Sequence, residues 1–293
     1  MFQKQSLFAI IEGENGDIIN RIELTKEAQQ EVCELFTKAT SLVLDNTEGV
    51  IFNGSYKPDS DEILIIEDFL LNESIFDAIK NPLGIKKFAP EINDIKRIRA
   101  LFMGRQKKEN GNFIIAFQKF RKEQYLSKMG INLFHDKDTF TTEKRFGFSI
   151  NPNVDCIYEG RSLKFSSFYF ARQVFDLTEY YREATNKDIE NFTNHKSILI
   201  EDAKVFNENA DNLVRRKLAI ILDSGFLEKH SATKIKEKAK GLGITVLTYR
   251  NKLKFPNDRK ELKQLLKFLD DEIYKGVFSE EILQTNSKRK AEI

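Results

Sequence analysis

The sequence predicts an α+β fold, with a β-rich N-terminal part containing hairpins and a helix-rich C-terminal part that carries an additional strand. Up to residue 170, short apolar runs alternate with turn residues, which is typical of strands joined by tight turns. From there onward apolar residues recur at helical spacing, and one strand-like run interrupts them at 243–255. The composition, 41% hydrophobic and 31% charged residues, is that of a chain with a folded core.

The first third of the chain predicts a hairpin, a helix and two further strands. Turn residues from Glu12 to Asp17 separate two apolar runs, so these runs predict the arms of a β-hairpin. Thr25 predicts the N-cap of a helix over 26–39, because apolar or small residues follow it at helical spacing. Strands are expected over 6–11, 18–24, 50–53 and 62–66.

A second hairpin is predicted over 95–120, where Asn110-Gly111 is a dipeptide that favours a tight turn. Its first strand, 95–103, carries Arg97 and Arg99 among apolar residues, so neither face of this strand is purely apolar. We therefore expect the strand to be partly exposed, with arginine facing the solvent at one end.

The remaining elements follow from the same patterns. Gly241 predicts the end of a helix, since glycine is favoured just beyond the last helical turn. Further strands are expected over 146–150, 156–158 and 162–170, and helices over 170–187, 211–223, 231–241 and 258–274.

Charge divides the chain into two regions. Residues 1–94 contain 8 Lys and Arg against 18 Asp and Glu, whereas residues 95–293 contain 39 against 27. We therefore predict an acidic α+β region, 1–94, and a basic region, 95–293, which is β-rich over 95–170 and mainly helical over 171–293. No low-complexity linker separates them, so they can pack as one unit. A basic surface makes polyanions candidate partners.

The sequence also indicates the cellular compartment. No apolar run approaches the roughly 20 residues of a membrane-spanning helix, and the N-terminus lacks the pattern of a signal peptide. The two cysteines, Cys33 and Cys156, lie far apart, so no disulfide framework is indicated. We expect a cytoplasmic protein.

Motifs for catalysis or cofactor binding are absent from the sequence. It contains no phosphate-binding glycine loop, no nucleophile elbow and no zinc-ligand spacing. A metal-dependent nuclease stays open as an alternative, because such enzymes need carboxylates and often a lysine on a neighbouring strand. Asp94 precedes the second hairpin, but Gln118 and Lys119 are adjacent and point to opposite faces of their strand. No catalytic residue, metal ligand or cofactor is predicted.

Two segments are rich in lysine and arginine. Residues 95–130 contain ten of them against two acidic residues, and residues 204–254 contain twelve against five. Such segments can bind nucleic-acid phosphates, and no motif for reading base sequence accompanies them, so backbone contacts are expected. The candidate DNA-binding residues are Lys96, Arg97, Arg99, Arg105, Lys107, Lys108, Lys119, Arg121, Lys122, Arg215, Arg216, Lys217, Lys234, Lys236, Lys238, Lys240, Arg250 and Lys252.

Several short patches in the second half resemble a known family. They are Ser167-Phe-Tyr-Phe-Ala-Arg-Gln-Val-Phe-Asp176, the pair Tyr180-Tyr181, and the stretches 218–225, 244–249 and 285–290. In these patches, in length and in the order of elements, residues 95–293 resemble the KwaB-like domain of the Kiwa anti-phage defence system of bacteria.

This resemblance implies a cytoplasmic component that acts with a small membrane partner, KwaA, which can recruit it to the inner face of the membrane. Family members are understood to bind DNA without marked sequence preference and to form dimers; no catalytic residue is carried over. The resulting hypothesis is a non-enzymatic, DNA-binding effector or regulator of anti-phage defence. The alternatives are a metal-dependent nuclease acting on invading DNA and a protein–protein interaction module without DNA binding.

Overall fold

A computed structural model of the protein describes residues 1–14, 16–54, 56–89, 95–107, 109–126, 131–136, 138–143, 147–180 and 182–289. Contacts group the chain into two compact units. The N-terminal unit comprises Met1–Phe52 and Pro58–Leu177, and the C-terminal unit comprises Asn53–Lys57 and Thr178–Ile293. The boundary that the charge distribution predicts at residue 94 falls inside the first of these units, and the change from strands to helices at residue 170 falls near its end.

The N-terminal unit is built around one large β-sheet. Eight strands form it in the order β2-β1-β5-β6-β11-β12-β4-β3, antiparallel except for the parallel pair β3 and β4. Two small two-stranded sheets, β7 with β10 and β8 with β9, accompany it. The strands are β1 (Leu7–Gly13), β2 (Gly16–Ile22), β3 (Glu48–Ile51), β4 (Glu62–Ile66), β5 (Ile98–Gln106), β6 (Phe113–Lys119), β7 (Tyr125–Leu126), β8 (Asn132–Asp136), β9 (Thr139–Glu143), β10 (Gly147–Phe148), β11 (Cys156–Glu159) and β12 (Ser162–Phe165).

Helices cover both faces of this sheet. The helices are α1 (Lys26–Asn46), α2 (Glu73–Lys80) and α3 (Phe168–Val174), with single 3₁₀ turns at Pro82–Gly84 and Lys122–Gln124. Thr25 caps α1 as predicted, its hydroxyl accepting a hydrogen bond from Ala28 N. On one face of the sheet, Phe36 of α1 packs with sheet residues such as Leu101. On the other face the core contains phenyl rings, and the ring centres of Phe102 and Phe117 lie 5.6 Å apart.

Coverage on both faces buries the centre of the second hairpin, whereas the start of its first strand is exposed as predicted. Strand β5 lies in the interior of the sheet, and its residues from Ala100 to Gly104 are buried. Arg99, just before them, is only half-buried because its guanidinium pairs with Asp17 at the sheet surface. Arg97, at the start of the predicted strand, is exposed as predicted, and Arg105 is exposed beyond its end.

The predicted helix over 170–187 is wrong beyond Val174. Phe175 is extended instead, with φ −124° and ψ 151°, and its ring packs 4.9 Å from Phe117 on the sheet. The helical spacing of apolar residues there reflects side chains that pack on the sheet from an irregular segment. The predicted strand over 162–170 likewise ends at Phe165, because α3 begins at Phe168. Residues 146 and 181, which also belong to predicted elements, lie outside the described residues.

The C-terminal unit packs six helices with two small sheets in the described part of the chain. Strands β13, β15 and β14 form one sheet and β16 pairs with β17 in the other. The helices are α4 (Asn186–Thr193), α5 (Ala203–Asn209), α6 (Asn212–Asp223), α7 (Phe226–Lys229), α8 (Ala232–Gly241) and α9 (Arg259–Leu269), and the strands are β13 (Ile198–Leu199), β14 (Leu247–Tyr249), β15 (Lys252–Lys254), β16 (Ile273–Lys275) and β17 (Ile282–Gln284).

Sequence patterns locate three of the six described helices of this unit, and the α+β class is confirmed. Helices α6, α8 and α9 lie within the three predicted helical spans, and Gly241 ends α8 as predicted. The single strand expected over 243–255 is instead the hairpin of β14 and β15. Arg250 and Asn251 form its turn in the left-handed region, at φ 48° and 61°, a conformation that side-chain alternation alone does not reveal.

Asp211 connects α6 to α9 through its carboxylate. The carboxylate caps α6 by accepting a hydrogen bond from Val214 N at 3.1 Å, and it pairs with Arg259 at 2.5 Å and Lys263 at 2.6 Å. Burial by itself raises the pKa of Asp211, but the hydrogen bonds from Lys263, Arg259 and Val214 outweigh it and hold the pKa well below its usual range.

We expect the contribution of Asp211 to stability to depend on pH. Because its pKa is lower in the folded than in the unfolded chain, the stabilisation is present above about pH 4 and is lost as the pH falls toward the folded value. Asp211→Asn keeps a capping group and should lower the free energy of unfolding at pH 7 by about 0.5–1 kcal/mol. Urea unfolding should show that the difference in free energy of unfolding between Asp211→Asn and the wild type becomes smaller by about pH 3.

Asp202→Asn is the matched control, because Asp202 caps α5 and forms no ion pair among the described residues. The change in free energy of unfolding caused by Asp202→Asn should vary less with pH than the change caused by Asp211→Asn. A loss of stability in Asp211→Asn that is the same at neutral and at acidic pH would contradict the role assigned to the ion pairs.

Candidate nucleic-acid interface

Most of the basic residues predicted to bind DNA in the N-terminal unit are engaged inside that unit. Arg97 donates to the carbonyl oxygen of Glu12 at 2.6 Å, and Arg99 pairs with Asp17. Lys107 pairs with Glu159 at 2.7 Å. Charges satisfied in this way attract a phosphate only weakly, since each cation already has an anion or dipole beside it.

Lys119 and Arg121 are similarly occupied. The Lys119 ammonium donates to the carbonyl oxygen of Arg99 at 3.1 Å, and burial lowers the pKa of Lys119. The Arg121 guanidinium lies 2.6 Å from the buried carboxylate of Asp155 and 4.4 Å from the ring centre of Phe170. Both side chains therefore hold neighbouring segments of the N-terminal unit together.

Four of the predicted residues in this unit are at the surface: Lys96, Arg97, Arg105 and Lys122. The Lys96 ammonium lies 5.7 Å from the ring centre of Tyr125. Lys108 lies outside the described residues. Within the described part of the segment 95–130, these four side chains are exposed and have no ion pair, and Arg97 is held by the carbonyl oxygen of Glu12.

Two members of the triplet Arg215-Arg216-Lys217 are engaged inside the C-terminal unit. The Arg215 guanidinium donates to the carbonyl oxygens of Ala210 and Ala184, at 3.0 and 2.8 Å. The Lys217 ammonium is buried between the carboxylates of Asp270 and Glu272, with side chains 5%, 3% and 7% exposed. Arg216 is half-buried. The charges of Arg215 and Lys217 therefore support packing within the C-terminal unit.

Helix α8 and the hairpin β14–β15 present the most accessible cluster of predicted residues. All four lysines of α8 and Arg250 at the hairpin turn are exposed, and Lys252 is half-buried. Helix α8 contacts β14, so these residues belong to neighbouring elements. None of these six cations has an ion pair within the described ranges. We call them the C-terminal basic surface: Lys234, Lys236, Lys238, Lys240, Arg250 and Lys252.

The local sequence leaves this surface with little negative charge. Between residues 229 and 257 there are eight lysines and arginines, and Glu237 is the only acidic residue. Lys254, at the end of β15, pairs with Glu201 at 2.7 Å. Ser231 caps α8 through its hydroxyl, and Ala232, Ile235 and Ala239 anchor the helix in the core. Because this apolar side of α8 faces the core, the lysines on the rest of the helix face the solvent.

A cavity of about 630 Å³ lies beside α8 in the same unit. Its walls come from α7, α8, the end of α9 and β16, and Lys234 and Lys238 are part of its lining. Sequence patterns did not indicate this site. Its other walls, such as Phe226 and Tyr274, lie far apart along the chain, and only the packing of the helices brings them together.

Gln118, one of the residues considered for a nuclease, is engaged within the N-terminal unit. Gln118 is fully buried, and its amide donates to the carbonyl oxygens of Asn151 and Asn153 at 2.7 and 2.5 Å. Asp94 lies outside the described residues. Within the described ranges, no group of three or more His, Cys, Asp or Glu is placed to hold a metal ion. No described helix is long and apolar enough to cross a membrane.

Fold and surface together define an α+β protein with an exposed basic surface in its C-terminal unit. The family model described as Kiwa protein KwaB-like matches residues 104–278, more than half of the chain. The chain belongs to this family, which confirms the predicted resemblance and associates the protein with the Kiwa anti-phage defence system. The searches of curated proteins and of solved structures gave no match.

Proposed function

We propose that this KwaB-like protein binds duplex DNA through backbone phosphates in Kiwa defence, and that the C-terminal basic surface makes the contacts. The observation that carries the proposal is the accessibility of this surface. Its α8 lysines and Arg250 are exposed and lack ion-pair partners within the described residues. A DNA phosphate would therefore displace no internal salt bridge on binding them, and counterions released from the DNA would favour the complex.

The side chains on this surface favour binding without sequence preference. All of its cations except Arg250 are lysines, and a lysine ammonium is a point charge on a flexible stem. Such a group meets a phosphate oxygen in many geometries, whereas reading a base edge demands a fixed bidentate arrangement. We therefore assign these residues to positioning contacts on the backbone.

The N-terminal unit has a smaller part in the proposal than its sequence predicts. Arg99, Lys107 and Arg121 would have to break existing ion pairs before they could bind phosphate. Lys96, Arg105 and Lys122 lie at the surface and remain candidates for additional contacts.

Salt dependence tests the proposal directly. The logarithm of the binding constant for duplexes of unrelated sequence should fall linearly with the logarithm of salt concentration, with a slope of about −0.9 per phosphate contacted. Four contacts would give about −3.6. Fluorescence anisotropy with two duplexes of different sequence should give the same slope and similar affinities.

The same experiment separates the alternatives. Absence of DNA retention at low salt would refute DNA binding and favour a protein–protein interaction module. Cleavage of plasmid DNA in the presence of Mg²⁺ or Mn²⁺ would establish a nuclease. A strong preference for one duplex would contradict backbone recognition, because phosphate contacts carry no sequence information directly.

The proposal also includes a homodimer and a membrane partner resembling KwaA, both implied by the family resemblance. Exposed apolar residues in the C-terminal unit support protein contacts of this kind. Val277 and Phe278, in the loop between β16 and β17, are 87% and 100% exposed. Apolar side chains that protrude together from a loop offer surface that a partner can bury.

A further inference from the structure

The cavity beside α8 combines an apolar floor with a cationic rim. Phe226 and Phe268 are partly buried and pack against the core of the C-terminal unit, and both line the cavity. Its volume of about 630 Å³ lies within the range of about 300–1,000 Å³ that is usual for small-ligand sites. Because core residues support the floor, the cavity is formed without a ligand.

Charge around the cavity is predominantly positive. Lys234 and Lys238 stand one helical turn apart on the same side of α8, and Lys275 of β16 also belongs to the lining. Among the described residues that line the cavity, Asp271 is the acidic one. Two or three ammonium groups around one opening favour a ligand with more than one negative charge.

Flat rings complement these charges. The ring of His230 lies 4.7 Å from that of Phe226, and Tyr274 lines the opening with 44% of its surface exposed. Rings at the wall of a cavity stack well on a planar heterocycle, whereas a flexible acyl chain gains nothing from their flatness. The combination selects a molecule that has a planar ring at one end and phosphate at the other.

We propose that this cavity is a nucleoside phosphate site. The base packs among Phe226, Phe268 and Tyr274, and the phosphates bind the ammonium groups of Lys234, Lys238 and Lys275. The ligand is a free nucleotide or an unpaired nucleotide of a DNA strand, since both present the same chemistry. This site shares Lys234 and Lys238 with the C-terminal basic surface, whereas Lys236 and Lys240 lie on the other flank of α8 by helical geometry and belong to that surface alone.

Calorimetric titration of the full-length protein with ATP tests the proposal. ATP should bind, while adenosine and inorganic triphosphate should each bind at least about tenfold more weakly, because each retains only half of the contacts. The double variant Lys234→Ala, Lys238→Ala should weaken ATP binding by about tenfold or more. Tyr274→Ala should weaken both ATP and adenosine but leave the affinity for triphosphate unchanged.

The matched control is Lys236→Ala, Lys240→Ala, which removes the same charge from the same helix on its other flank. Its ATP affinity should stay within about twofold of the wild type. Equal weakening by both double variants would overturn the proposal, since it would indicate general charge attraction, and so would failure of ATP to bind at millimolar concentration. Circular dichroism verifies that each variant is folded.

The source of the nucleotide follows from competition. A single-stranded oligonucleotide that displaces ATP assigns the cavity to an unpaired nucleotide of a strand, and one that does not displace ATP assigns it to a free nucleotide. If the control variant Lys236→Ala, Lys240→Ala binds duplex DNA more weakly but keeps its ATP affinity, nucleotide binding in the cavity is distinct from duplex binding. Either function can therefore fail without the other.

Discussion

Replacing Lys217 by methionine should destabilise the protein by about 3–5 kcal/mol, the usual cost of leaving a buried charge without its partner. The Lys217 ammonium lies between Asp270 and Glu272, and all three side chains are buried. Removing it leaves two carboxylates close together in a poorly solvated site. Urea unfolding followed by circular dichroism should show the transition shifted to lower denaturant concentration.

A second cation makes this prediction more specific. The Lys288 ammonium also contacts Asp270, at 2.5 Å, so Asp270 keeps a partner when Lys217 is replaced, whereas Glu272 has no second cation among the described ion pairs. The double variant Lys217→Met, Glu272→Gln removes the unpaired carboxylate together with the ammonium. It should therefore be more stable than Lys217→Met alone, a non-additive effect expected of neighbouring residues in one ion-pair network.

Lys260→Met provides the control for this series, because Lys260 is exposed at the start of α9. The free energy of unfolding of Lys260→Met should stay within about 0.5 kcal/mol of that of the wild type. The assignment of Lys217 to the core would be wrong if Lys217→Met were as stable as Lys260→Met. Addition of Glu272→Gln would then give no recovery.

Removing three lysines from the C-terminal basic surface should weaken duplex DNA binding by on the order of 100-fold at about 50 mM salt, if two of them bind phosphates. The variant is Lys236→Gln, Lys238→Gln, Lys240→Gln. Glutamine has a helix propensity close to that of lysine, so the change is chiefly one of charge. The salt slope should become shallower by about 0.9 for each phosphate that the variant no longer binds.

The matched variant Lys96→Gln, Arg105→Gln, Lys122→Gln removes the same charge from the surface cations of the N-terminal unit. We expect a smaller decrease in affinity from it. Equal decreases in the two variants would show that the protein attracts DNA through its overall charge. A larger decrease in the N-terminal variant would reverse the assignment of the main DNA-binding surface.

Counting charges in the sequence does not distinguish the two basic segments. By sequence, the segment 95–130 is as basic as the segment 204–254. Asp17, Asp155 and Glu159, which neutralise the first segment, lie up to about eighty residues from their partners in the chain, and sheet pairing brings them there. The α8 lysines keep their charge at the surface because few carboxylates are near them in the sequence.

Local patterns were sufficient where neighbouring residues decide the structure. The hairpin of β1 and β2, the Thr25 cap and the amphipathic helices α6, α8 and α9 depend on turn residues, capping hydroxyls and apolar spacing within a few positions. They failed just beyond Val174, where apolar side chains pack on the sheet from an extended segment, and at β5, whose Arg99 is neutralised by Asp17.

Local patterns and short patches were enough to predict the α+β class, the positions of the strands in the large sheet and the family to which the chain belongs. Tertiary structure decided which cations are available. It buried Lys217 between two carboxylates, paired Arg99 and Arg121 within the N-terminal unit and formed the cavity beside α8 from four separate elements. The reason is physical: the effect of a charge depends on its neighbours and its exposure to water, and both are set by contacts between residues distant in sequence.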